Sequence, residues 1–305
     1  MSNKNTVLGI VCGIMAGVCW GFSGVAGQFL FETKGIDSTW LVPVRLLSSG
    51  IILMLVVAIR KHDELKAITA EKKDLCRALI SGVFGVMALQ YTFFGAVQRT
   101  NAGTATVLQY LCPVITMIYV CIRSRKKPEI KEVAAILMAV AGVFLVSTHG
   151  QLHELVLTRE GLAWGLACAF SMFLNTVLPE KLYEKYSTDV VLAWGMLAGG
   201  IIMFIVFKPW TMDVSWDAEL ILALEIIIGG GSICSYYLYG IAVNNIGPTK
   251  TSLLASVEVV AAAVPASLWL KTAYSSVDLI GFGLIIGTLF VINARKANRN
   301  QLRLN

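Results

Sequence analysis

Long apolar stretches follow one another along the whole chain, and they constrain its fold more than any motif does. A helix needs about 20 consecutive apolar residues to cross a bilayer core. A window of that length finds ten candidates, at roughly residues 7–31, 39–59, 76–98, 102–122, 131–148, 159–180, 189–207, 219–243, 249–270 and 276–294. Lipid offers the backbone no hydrogen bonds, so only helices or closed barrels span it. The pattern therefore predicts an all-α integral membrane fold with ten transmembrane helices. The third and fourth stretches are separated only by Arg99-Thr100-Asn101, and the eighth and ninth only by Asn244 to Pro248, which predicts antiparallel hairpins. No linker is long enough for a soluble domain. Composition agrees: 56% of residues are hydrophobic and 14% charged, against about 45–50% and about 25% in soluble domains. The first stretch, Val7 to Phe31, exceeds a signal-peptide core of about 7–15 residues and reads as a retained first helix.

A net charge of +6 could suggest a nucleic-acid partner, but the basic residues lie in the joints between apolar stretches, where they set membrane orientation. With the N-terminus placed in the cytoplasm, nineteen Lys and Arg fall on the cytoplasmic side and five (Lys34, Arg99, Arg159, Lys208 and Lys271) on the other, with Arg45 inside the second helix. That asymmetry predicts an even helix count, both termini in the cytoplasm and a cytoplasmic tail at 296–305. None of the seven cysteines forms a C-x-x-C pair. All are expected to be small buried apolar residues.

The chain also repeats itself. Tyr91-Thr-Phe-Phe-Gly95 matches Tyr236-Tyr-Leu-Tyr-Gly240 at an offset of 145, which also aligns Thr104, Thr106, Leu108 and Val114 with Thr249, Thr251, Leu253 and Val259, and Gly142 with Gly287. Gly9 and Gly13 match Gly161 and Gly165 at 152, and Gly50-Ile-Ile matches Gly200-Ile-Ile at 150. Residues 7–148 and 159–295 thus read as two five-helix repeats. Five is odd, so the second copy enters the membrane from the opposite side, an inverted arrangement common in secondary transporters. Gly9, Gly13, Gly17 and Gly21 lay a flat strip on one face of the first helix, which permits close helix packing. Gly161/Gly165, Gly195/Gly199 and Gly283/Gly287 repeat that spacing.

Ionisable residues inside a membrane are functional candidates by default. Glu258 stands about ten residues into the ninth helix, near the midplane at 1.5 Å per residue. A carboxyl at that depth can act as a protonatable switch, contact a cationic solute group, or serve as a structural anchor. Arg45, in the second helix, is expected to neutralise a buried carboxylate or helix carbonyls. Glu225 lies near a helix end within reach of water, and Lys250 and Glu180 are expected to snorkel. Trp20, Ser23, Gln90, Tyr91, Gln109, Tyr110, Asn175, Ser232, Tyr236 and Ser256 supply polar or aromatic groups at mid-depth. Together with Glu258 they are the candidate lining of an amphipathic substrate pocket. Pro113 and Pro265 are expected to kink the fourth and ninth helices and free carbonyls for a site.

Several chemistries are missing from the sequence. It has no G-x-x-x-x-G-K-[ST], no H-E-x-x-H and no G-x-S-x-G, so neither ATP drive within this chain nor those enzyme classes are expected. No cofactor is expected. His149 and His153 sit in a joint, and no metal site is assigned to them. Gly229-Gly-Gly231 lies within an apolar run and reads as close helix packing.

The chain resembles the EamA-type members of the drug/metabolite transporter superfamily. The resemblance covers about residues 7–295 and is carried by Trp20-Gly21, Val44-Arg45-Leu46, the run Ala96 to Ala105, Leu111-Cys112-Pro113-Val114 and Ser256-Val257-Glu258-Val259. The family often has Glu-Pro in the ninth helix, where this chain has Glu258-Val259. It also often has Gly-Glu after the fourth and ninth helices, where this chain has Arg125-Lys126-Lys127 and Lys271-Thr272. The resemblance implies an inner-membrane carrier, often an exporter of amino acids or related metabolites, with a cavity lined by helices one, three, four, six, eight and nine. Its partners would be a small-molecule substrate, the bilayer and possible coupling protons, and it would be a monomer or homodimer. An uncoupled pore or a flippase of a lipid-linked group is the alternative. A membrane-embedded enzyme would need paired catalytic groups at one depth, which the sequence lacks.

Overall fold

The computed structural model describes residues 3–125, 130–148 and 157–302. Among the described residues the chain is helical throughout and has no strand. Eight helices are long and apolar enough to cross a membrane, and Val133–Thr148 and Ser276–Thr288 are shorter apolar stretches. In chain order the helices are α1 (Asn3–Lys34), α2 (Ser38–Arg60), α3 (Lys72–Arg99), α4 (Ala102–Arg123), α5 (Ile130–Thr148), α6 (Arg159–Val177), α7 (Thr188–Phe207), α8 (Ala218–Ile246), α9 (Pro248–Trp269) and α10 (Ser276–Leu302). A short helix at His62–Ala70, not anticipated from the sequence, lies between α2 and α3. Asp63 and Glu64 complement its N-terminal dipole, and Ile68 is its one buried residue. The His149/His153 pair and residues 303–305 of the tail lie outside the described residues.

Side-chain size decides which helices pair. α2 packs along α7, α5 along α10, α1 along α8 and α9, and α3 and α4 along α6. Glycine sets the closest approaches. A Cβ added at Gly50 would lie 2.6 Å from the Leu197 backbone nitrogen, and one added at Gly200 would lie 2.6 Å from that of Leu47. In α1, a Cβ on Gly9 would meet Ile246 and Asn245, one on Gly17 would meet Ala255 and Val257, and one on Gly21 would meet Ala261 and Ala262. The glycine strip of α1 is therefore its contact surface with α8 and α9.

Two kinds of irregularity interrupt the helices. α3 and α8 each contain a stretch wound as π-helix, at Gly82–Met87 and Ile226–Cys234. Such bulges occur frequently at functional sites. α4 and α9 are each broken in the middle: α4 into Ala102–Gln109 and Cys112–Arg123, and α9 into Pro248–Ala255 and Glu258–Trp269. α4 breaks because Pro113 donates no hydrogen bond and its ring crowds the carbonyl four residues back. Tyr110 and Leu111 then bond three residues back, to the carbonyls of Val107 and Leu108. α9 breaks without a proline at the joint, since Pro265 lies within its second half, nine residues past the Ser256 break. There the Ser256 hydroxyl bonds the Leu253 carbonyl at 2.6 Å. Serine back-bonding of this kind can bend helices, and Pro265 stands further along, inside the Glu258–Trp269 half.

Polar ties close each end of the bundle. At one end, Lys34 pairs with Asp217 at 2.6 Å and with Glu219 at 2.5 Å, and Arg99 pairs with Glu160 at 3.5 Å. At the other, Asp74 accepts from Lys185 at 2.8 Å, Tyr186 at 3.2 Å and Arg77 at 3.3 Å, and Lys61 pairs with Asp189 at 2.8 Å. Cys12, Cys112 and Cys168 are buried as expected, but Cys76 and Cys234 are exposed.

Candidate functional site

The breaks in α4 and α9 bring two candidate residues together. Glu258, 6% exposed, opens the second half of α9, and Tyr110 closes the first half of α4. The Tyr110 phenol donates to Glu258 Oε2 at 3.1 Å and lies 3.4 Å from the Ala255 carbonyl. A continuous helix would have bonded that carbonyl internally. The break exposes it beside the carboxylate, as in the discontinuous helices of transporters.

Arg45 is 3% exposed and is held by α8. Its Nε donates to Ser232 Oγ at 3.0 Å and its Nη2 to the Gly231 carbonyl at 3.0 Å, while its Cζ lies 5.0 Å from the centroid of the Phe94 ring. The π-wound stretch presents that carbonyl to Arg45. Ser23 lies against Gly231, and its buried hydroxyl finds no hydrogen-bond partner among the described residues. A buried polar group left unpaired costs roughly 1–3 kcal/mol, which a bound polar solute or water would offset.

Aromatic rings form one side of this region. Trp20 meets Tyr236 edge-on at 5.5 Å and Tyr239 at 5.4 Å, centroid to centroid. Gln109 accepts from the Cys168 thiol at 3.4 Å. Ser256 is buried at the α9 break. Tyr91 belongs to a different cluster, packed on Trp164 at 5.2 Å and Phe207 at 5.4 Å. Asn175 lies against Gly85 at the α3–α6 contact, and Gln90 is buried within α3. Glu225, Lys250 and Glu180 are exposed, as expected of groups near helix ends. Of Gly229, Gly230 and Gly231, only Gly231 packs closely, against Ser23; a Cβ on Gly230 would meet nothing within 4 Å. The triplet relaxes the helix into its π turn more than it packs it.

Sequence reasoning missed Tyr239, Phe94 and Gln28. Tyr239 was readable, because it follows Tyr236 by three residues and so shares its helix face. Gln28 gave no local signal. Its amide accepts from the Ala102 N–H at 2.8 Å, which caps α4, and donates to Thr272 and Glu32 at 2.9 Å each. Nearby, Tyr274 donates to Asn101, the N-cap of α4, at 3.0 Å. In the α1–α2 turn, burial pushes the Asp37 carboxyl up, but hydrogen bonds from Thr39 and Gln98 prevail and hold it below its ordinary value.

α4 and α9 meet asymmetrically. The Ala102–Gln109 half of α4 packs on the Glu258–Trp269 half of α9, on α1 and on α6, whereas its Cys112–Arg123 half packs on α5, α6 and α10 and makes no comparable contact with α9.

The model of the EamA-like transporter family matches residues 7–148 and again 159–294. The Uncharacterized inner membrane transporter YicL of Salmonella typhimurium is 32% identical over 295 residues, covering 97% of this chain and 98% of that protein. The Uncharacterized transporter YetK of Bacillus subtilis is 26% identical, covering 82% of this chain and 76% of that protein. A solved crystal structure with 17% sequence identity superposes with a TM-score of 0.60 over 95% of this chain and 96% of that one, a likeness of fold.

Proposed function

Because this chain belongs to the EamA-like transporter family, we propose that it is a secondary transporter that moves small metabolites, amino acids or related compounds, outward across the cytoplasmic membrane by alternating access. The family accounts for transport, a small-molecule substrate and the membrane. Substrate class, direction and mechanism are inferred.

In this reading all ten apolar helices span the bilayer as two inverted repeats, 7–148 and 159–295, with both termini and the 296–305 tail in the cytoplasm. Paired irregularities support it. The π turns of α3 and α8 stand at matching positions at the 145-residue offset, and so do the breaks of α4 and α9. Gly50 against Leu197 and Gly200 against Leu47 are one contact seen from each side of a pseudo-twofold axis at the 150-residue offset. The asymmetry between α4 and α9 then corresponds to a conformer sealed at the Lys34 end and parted toward the Lys185 end, the cytoplasmic side by the Lys and Arg distribution.

The observation that carries the proposal is the Tyr110–Glu258 contact at two helix breaks. A carboxyl there can exchange its proton for contact with a solute. Trp20, Ser23, Tyr110, Tyr236, Ser256 and Glu258 form the substrate region, with Gln109 at its edge and Gln90, Tyr91 and Asn175 along the path. The chain acts as a carrier, with no catalytic group. Counterflow into proteoliposomes with a panel of labelled amino acids tests it. A carrier accumulates label transiently and saturates with solute; non-saturating flux without counterflow identifies a pore and sinks the proposal.

A further inference from the structure

Alternating access divides a transporter into bodies that move against each other, and the two sequence repeats are the obvious candidates. The helix packing suggests a different division. α1 lies along α8 and α9, although it belongs to the first repeat and they belong to the second. α6 lies along α3 and α4, with the memberships reversed.

Ion pairs at opposite ends of the bundle reinforce these crossed groups. Lys34, at the end of α1, pairs with Asp217 and Glu219 at the start of α8. Lys185, beyond the end of α6, pairs at 2.8 Å with Asp74 at the start of α3. Positions 74 and 219 are separated by 145, the offset that aligns α3 with α8. Positions 34 and 185 are separated by 151, one short of the offset that aligns α1 with α6. The two pairs are therefore the same contact on opposite faces. A gate pair would form on one face and part on the other, because the bundle is sealed between α4 and α9 at only one end. Both pairs are formed at once.

We infer that Lys34 with Asp217 and Glu219, and Lys185 with Asp74, are positioning residues that clamp two moving bodies, α1/α8/α9 and α3/α4/α6, each drawn from both repeats. The inference rests on the alternating-access reading. Exposed ion pairs contribute little to stability, and both pairs have exposed members: Glu219 is 65% and Lys185 57% exposed at the side chain. Their role is to keep each helix end registered on its partner while the bodies rock. Arg99 with Glu160 ties α3 to α6 at the other end of the same body. The bodies meet where α4 faces α9. There a Cβ on Gly103 would lie 3.3 Å from that of Ala263, close to the spacing of a disulfide.

The test uses full-length protein in proteoliposomes, with the native cysteines replaced and counterflow read before and after thiol crosslinking. Crosslinked Lys34→Cys/Glu219→Cys and Asp74→Cys/Lys185→Cys are expected to keep their counterflow, and crosslinked Gly103→Cys/Ala263→Cys to lose it until reduced. Loss of counterflow on crosslinking either clamp overturns the inference and leaves the transport reading standing. Counterflow that survives all three crosslinks removes alternating access, and the inference with it. Charge exchange gives a second measure: Asp74→Lys is expected to reduce counterflow and Asp74→Lys/Lys185→Asp to restore it, and failure of the double exchange to restore it in protein that elutes as native also counts against the clamp.

Discussion

The Tyr110 hydroxyl lies 3.1 Å from Glu258 Oε2, joining the two broken helices at their breaks. A hydrogen bond to a charged group is worth about 1.5–3 kcal/mol, and 1.4 kcal/mol corresponds to about tenfold in an equilibrium. Tyr110→Phe is expected to raise the half-saturating solute concentration in counterflow by roughly ten- to a hundredfold, with normal elution in size-exclusion chromatography. An unchanged half-saturation would place the substrate away from this pair.

Arg45→Lys keeps a charge but cannot make the forked contact with Ser232 and Gly231. Ser232 keeps its bond to the Ile227 carbonyl and Gly231 its bond from Ser235, so the cost is that of the lost charged hydrogen bond, about 1.5–3 kcal/mol. The variant should unfold at lower temperature in detergent, and Ser232→Ala should lose less.

At Gly50 and Gly200 a Cβ meets backbone, so α2 and α7 would have to part. Overpacking of this kind costs about 1–3 kcal/mol. Gly50→Ala and Gly200→Ala should lower the unfolding midpoint by similar amounts, because they disturb the same contact from either side. Gly230→Ala meets open space and should be neutral or up to about 1 kcal/mol more stable. Unequal losses at Gly50 and Gly200 would argue against the pseudo-twofold relation.

The hydrogen bond from Lys34 holds the Asp217 carboxyl below its ordinary value. A depressed carboxylate contributes stability that is present above the unfolded value, about 3.9 for Asp, and is lost as pH falls through the lower folded value. The difference in unfolding midpoint between wild type and Asp217→Asn should therefore stay constant from about pH 8 to pH 5 and shrink only in stronger acid. A difference that already fades near pH 6 would mean the pair does not form in solution.

The apolar rhythm made the helices legible, since lipid leaves a spanning chain few alternatives. The offsets also paired α3 with α8, whose π-wound stretches stand at matching positions. What stayed hidden depends on contacts between distant segments. Nothing near Ser256 signals that α9 breaks there, nine residues before Pro265. Nothing local to Asp74 signals that Lys185 and Tyr186 lie against it. Tyr91 and Tyr236 match at the 145-residue offset yet face different neighbours, Trp164 and Phe207 for one and Trp20 for the other.

The most direct measurement is solute uptake into proteoliposomes, with and without an imposed pH gradient, for wild type and Glu258→Gln. Wild type is expected to accumulate solute in response to the gradient, and the variant to keep exchange while losing that response. Wild-type uptake blind to pH, or a variant that still follows the gradient, would show that Glu258 does not couple protons to transport.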